Sequence, residues 1–159
     1  MSEGNKCLAV VRVRGNVGTS REIEEVFRQM HLTRKNHATL VPSSLSNVGV
    51  LRKVKDYATW GEPSLETVTE LLAKRGMLSG NRRLTEDYAK TSLGYKSLTA
   101  LAKDLFEGHV DLRNLKGVKP LFRLHPPRKG FRGLTKKPHP EGELGYRGDE
   151  INSLLTRMF

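Results

Sequence analysis

Cysteine is almost absent from this 159-residue chain: Cys7 is the only one. An internal disulfide is excluded, and a reducing, cytoplasmic setting is expected. Cys7 falls inside an apolar strand pattern, where a thiol is inert. Long hydrophobic runs are absent too. The first, Cys7 to Val11, is too short for a signal h-region or a membrane span, so no export or membrane insertion is expected. The histidines at 31, 37, 109, 125 and 139 do not combine with a cysteine or with each other at zinc-ligand spacing, and no metal site is expected. No Ser/His/Asp or Cys/His arrangement stands out. Glu141 and Glu143 are close in sequence but lie on a loop, so catalysis, a cofactor and a small-molecule substrate are not expected. The RGNVGTS segment lacks the lysine and the spacing of a Walker A loop. It reads as a turn and helix cap, with the helix N-terminus within reach of a phosphate. Aromatics make up only 6%; Tyr57 and Trp60 read as sheet residues rather than a stacking platform.

Negative charge is also scarce. Lys and Arg number 28 against 17 Asp and Glu, giving a net charge of +11 and an isoelectric point near 10.0. That excess opposes compaction and implies a polyanionic partner. The cations are spread over strands, loops and helices, not along one amphipathic helix, which favours nucleic acid over a membrane surface.

The pattern that is present begins with CLAVVRVRG, a strand whose apolar run suits a central position. Alternation puts Leu8, Val10, Arg12 and Arg14 on one face, with both arginines at its cationic end. A helix follows, with Thr19 and Glu22 at capping-box spacing and Ile23, Val26, Phe27 and Met30 on one stripe. HATLVP is a second strand. SSLSNVGVLRKV is a second helix, capped near Ser44, with Leu45, Val48, Leu51 and Val54 as its apolar positions. DYATWGE is a third strand. The order β-α-β-α-β, with a right-handed crossover, puts both helices on one face of a small sheet. The other face is expected to stay open to solvent or a partner.

Residues 63–117 change character. SLETVTELLAKRG and SLTALAKDLFEG are helices capped by Ser64 and Ser97 and ended near Gly76 and Gly108, with a short helical turn near Thr85 to Lys90 between them. VKPLFRL is a further strand, held to a sheet edge by Pro120. There follows a basic stretch holding Pro126, Pro127, Pro138 and Pro140. The closing DEINSLLTRMF places Ile151, Leu154, Leu155 and Met158 on one stripe that needs a surface to cover, so the chain must return to the body.

The stretch from Arg123 to Lys137 carries Arg123, Arg128, Lys129, Arg132, Lys136 and Lys137 and no acid. Arginine forks grip phosphates, and Phe131 among them offers a stacking surface to an unpaired base. A second basic group comprises Arg12, Arg14, Arg21, Arg34, Lys35, Arg52, Lys53 and Lys55. For Arg52, Lys53 and Lys55 the helix dipole is as good an explanation as RNA contact. Arg147, in the closing segment, completes the candidate RNA-binding set.

KVKDYATWGE, KPLFRLHPPRKGF and LGYRGDEINSLLTRMF, with LAVVRVRG and LTRKNHATLV, resemble the ribosomal protein family numbered thirty in the large subunit, in its long archaeal and eukaryotic form. The likeness runs nearly the whole chain; the short bacterial form corresponds to residues 7–62 alone. It implies an α+β, ferredoxin-like core with a helical insertion, an extended basic arm and a C-terminal helix. The corresponding divisions are 1–62, 63–117 and 118–159. It also implies structural binding to 23S-type large-subunit rRNA in the cytoplasmic ribosome beside other ribosomal proteins, leaves a 5S rRNA contact open, and implies no catalysis. A free RNA chaperone or regulator is the alternative. This chain departs from the family pattern twice: Lys129 stands where the first of two glycines often follows HPPR, and Glu143 stands where a glycine pair tends to occur near Gly142.

Overall fold

The apolar run of Cys7–Arg12 forms β1, a strand buried along its entire length. The computed structural model describes residues 7–131, 133–139 and 141–159. β1 pairs antiparallel with β2 (His37–Pro42) on one side and β3 (Ala58–Gly61) on the other. Between them run α1 (Arg21–Gln29) and α2 (Leu45–Lys53). Both helices cover one face, where Leu8, Val10, Phe27, Leu32, Val41, Leu51, Val54 and Trp60 form a single apolar cluster. Two local details differ from the sequence pattern. The cap of α1 is Ser20, whose hydroxyl accepts from the Ile23 N–H; Thr19 instead donates to the Gly15 carbonyl. Leu45, the first residue of α2, is 93% exposed and stays outside the apolar cluster that Leu51 and Val54 join.

The opposite face is not open. It is closed by α3 (Leu65–Arg75), α5 (Leu98–Phe106) and α6 (Ile151–Met158). Cys7, Ala9, Val11, Ala38 and Leu40 of the sheet join Val68, Leu71, Leu72, Leu101, Leu105, Ile151, Leu154, Leu155 and Met158 there. Each fully buried aliphatic side chain is worth about 1.5–3 kcal/mol, enough to overcome the entropy of returning the chain. Burial pushes the Cys7 thiol up to about 12, which keeps it protonated.

Between α3 and α5 lie a hairpin, β4 (Met77–Leu78) and β5 (Arg82–Arg83), and the short α4 (Glu86–Thr91). Gly80 and Asn81, both at positive φ, make its turn. After a 3-10 turn at Leu112–Asn114, β6 (Phe122–Arg123) adds to the outer side of β2 as an edge strand, as Pro120 requires.

The basic stretch after it is not one extended arm. β7 (Leu134–Pro138) and β8 (Gly142–Tyr146) enter the sheet, β8 beside β3, giving the order β6-β2-β1-β3-β8-β7. A 3-10 turn at Gly148–Glu150 then leads into α6. It passes so close to β3 that any side chain at Gly61 would collide with the Gly148 carbonyl. No described helix is long and apolar enough to cross a membrane.

Candidate nucleic-acid interface

Three of the expected RNA contacts are placed otherwise by the fold. Arg12 was expected at an exposed strand end, but its residue is only 1% exposed. Its guanidinium lies 4.0 Å from the Phe27 ring centroid and donates to the carbonyls of Arg14 (2.9 Å) and Leu32 (2.8 Å). A flat cation that stacks on an aromatic face and satisfies loop carbonyls belongs to the core. Its burial lowers its pKa, opposed by the nearby carboxylate of Glu24.

Arg147 is likewise buried. Its Nη2 donates to the Glu143 carboxylate (2.6 Å) and carbonyl (2.6 Å), and its Nε to the Thr59 hydroxyl (2.8 Å). Thr59 in turn donates to the Gly145 carbonyl at 2.7 Å, and the Gly133 N–H donates to Glu143 at 2.9 Å. This network locks β8 to β3. It also explains Glu143: the carboxylate neutralises Arg147 inside the sheet, leaving no charge there for RNA. Phe131, expected as a stacking surface, is partly buried and packs instead against the main apolar cluster, where the ring gains by leaving water.

Arg14 is half-buried, 5.0 Å from the Tyr57 ring centroid. Arg21, Arg34, Lys35, Arg52, Lys53, Lys55, Arg123, Arg128, Lys129, Lys136 and Lys137 are all exposed. Arg132 lies outside the described residues. Lys136 and Lys137 lie on β7, between the two positions where its register against β8 shifts.

The exposed cations gather in three places. At the start of β2, Arg34 and Arg123 of β6 both act on His37, which pairs with Arg123, and Lys35 follows Arg34 in the same exposed loop. At the end of α2, Arg52 and Lys55 share a groove with Pro138, Gly145 and Tyr146. The Tyr146 hydroxyl donates to Glu62 at 2.7–2.8 Å; that bond, then burial, pushes its pKa up to about 12. At the end of α6, the last carbonyls accept from the chain leaving β6: His125 N–H to Met158 O (3.0 Å) and Arg128 N–H to Arg157 O (2.9 Å). Arg157 Nη1 returns bonds to the carbonyls of Arg128 (3.2 Å) and Gly130 (2.7 Å). The helix end therefore fixes the backbone of 125–130 while the Arg128 and Lys129 side chains stay in solvent. Lys129 holds φ 65, a conformation that suits glycine. This position accepts strain and presents a cation.

The sequence pattern missed Lys119, Asn81 and Arg157. A Gly-Asn pair between short apolar segments was the available signal for the hairpin carrying Asn81; nothing local marks the other two. At the end of α5, His109 lies 3.8 Å from Asp104 and 3.4 Å from Glu107 on the surface.

This arrangement can grip a phosphate backbone at several points with side chains held on fixed main chain. The family described as Ribosomal protein L30p/L7e matches residues 8–58. "Large ribosomal subunit protein uL30" of Archaeoglobus fulgidus is 45% identical over 150 residues, covering 94% of this chain and 98% of its own length. The proteins of that name from Methanosphaera stadtmanae and Nanoarchaeum equitans are 45% and 44% identical, each again covering 94% of this chain.

Proposed function

The chain belongs to the ribosomal protein L30p/L7e family, and from that membership we propose that it is a structural constituent of the large ribosomal subunit, binding and stabilising 23S-type rRNA. The observation that carries this is the likeness over 94% of the chain to proteins named for the large subunit. It takes in the insertion and the C-terminal segment as well as the β-α-β-α-β unit. The surface supports it: Arg14, Arg21, Arg34, Lys35, Arg52, Lys53, Arg123, Arg128, Lys129, Lys136 and Lys137 reach solvent, where cations are available to phosphates.

Its role is architectural, not catalytic, within the cytoplasmic ribosome and against neighbouring ribosomal proteins. The buried arginines 12 and 147 hold the fold, and the exposed cations bind. Sedimentation of large subunits through high salt tests this. A constituent remains with the particle, whereas a transient RNA chaperone washes into the free fraction.

A further inference from the structure

At one end of the sheet, positively charged or chargeable groups line up across three strands. Arg12 closes β1, His37 opens β2, and Arg123 lies directly opposite His37 on β6. Opposed residues of an antiparallel pair project from the same face, roughly 5 Å apart. Arg34 joins them from the preceding loop, its carbonyl accepting from the His37 N–H at 3.4 Å.

The insertion approaches the same place. Asn81, at the hairpin tip, accepts through Oδ1 from Lys119 Nζ at 2.7 Å and from Arg123 Nη1 at 3.4 Å. One amide oxygen thus holds two cations side by side. Among the described residues, Arg34, Lys119 and Arg123 make no ion pair; the one carboxylate acting here is Glu24, through its field on Arg12. Like charges held together without a counter-ion raise the free energy of the unliganded protein, and an anion lowers it.

We propose that this notch binds one phosphodiester group of the RNA backbone, with Arg34, Lys119 and Arg123 as its grips, Asn81 as a positioning residue, and His37 as the group that takes up a proton on binding. The proposal rests on the rRNA reading above and deepens it: residues beyond 8–58 complete a site that the β-α-β-α-β unit cannot form alone. Guanidinium forks and an ammonium group are phosphate ligands.

His37 supplies the distinguishing signature. Burial first, then the fields of Arg123, Arg34 and Arg12, lower its imidazole pKa, and its buried Nδ1 has no hydrogen-bond partner among the described residues. The free protein therefore holds the ring neutral near pH 7. A bound phosphate reverses the surrounding field and favours the imidazolium. In the free protein the sign is opposite. The folded state binds fewer protons here than the unfolded state, so stability falls as pH drops through and below the ordinary histidine range.

The test measures affinity of the full chain for deproteinised large-subunit rRNA at constant salt. Wild type should tighten about threefold or more between about pH 7.5 and about pH 5.5, and His37→Gln should lose most of that gain. Lys119→Gln should reduce the salt slope by about one contact, and Asn81→Ala should weaken binding although it removes no charge. In unmodified protein, NMR titration of the His37 ring should give a higher pKa with a short oligouridylate than without. Unchanged His37 titration on RNA binding, or variants that bind as wild type does at every pH, would overturn the notch. If the variants match wild type while Arg128→Ala still weakens binding, the rRNA reading survives. A wild type that does not bind rRNA overturns both.

Discussion

The two parts of the stretch from His125 to Arg147, residues 125–138 and 139–147, both carry arginine and have opposite fates. In the first half, the backbone is tied to the end of α6 and the cations of Arg128 and Lys129 point into water. In the second half, β8 is an inner strand and Arg147 is buried against Glu143. Basic composition alone therefore does not assign a cation to RNA. A guanidinium with a buried carboxylate, hydroxyl or aromatic face nearby holds the fold. One on fixed main chain without such a partner is free to bind.

The largest expected effect comes from breaking the buried half. Arg147→Ala leaves the Glu143 carboxylate buried without its cation and should cost about 3–5 kcal/mol in chemical denaturation. RNA affinity, measured where the variant is still folded, should stay near wild type. A stable variant with weakened binding would mean that Arg147 reaches RNA after all.

Leu154→Asp attacks the support of the exposed half. Leu154 is 1% exposed on the buried face of α6, and a charge there should cost about 3 kcal/mol. Binding should fall although no basic residue has changed, because the helix end that fixes 125–130 is released. Equal affinity in the two proteins would show that residues 125–130 need no anchor.

Replacing Arg128, Lys136 and Lys137 together by alanine should shift stability by no more than about 0.5 kcal/mol. It should weaken rRNA binding at least tenfold near physiological salt. The reverse outcome, a lower melting temperature with unchanged affinity, would erase the distinction between the halves.

The smallest effect sharpens the comparison at one residue. Lys129→Gly relieves a positive φ and should stabilise the protein by about 1 kcal/mol or less, while weakening RNA binding a few-fold. Thermal melting and a binding titration on the same sample read both.

How far these fates were legible in the sequence follows from the range of the interactions. The helices were marked by local signals: Ser44, Ser64 and Ser97 each cap the helix they announce, accepting from an N–H three residues on. β1 was marked by its apolar run, and α6 by its stripe. β7 and β8 were not: β8 finds β3 far away in the sequence, with Thr59 bonded to Gly145 across 86 residues, and β7 joins the sheet only through β8. The same limit applies to the site. The exposed cations were visible as composition. That Phe27 and the Leu32 carbonyl capture Arg12, or that Asn81 joins Lys119 to Arg123, depends on contacts no local pattern encodes. The open sheet face expected from β-α-β-α-β was filled by the insertion and α6, whose stripes announced a need for cover without saying which surface met it.

The central claim is that exposed, unpaired cations on fixed main chain neutralise rRNA phosphates. The salt dependence of binding tests it most directly. With about six phosphates contacted, log affinity against log salt should have a slope of roughly −4 to −5 for wild type, reduced by about 2 to 3 in the Arg128, Lys136 and Lys137 triple alanine variant. A wild-type slope near zero, or the same slope in both proteins, would contradict the account.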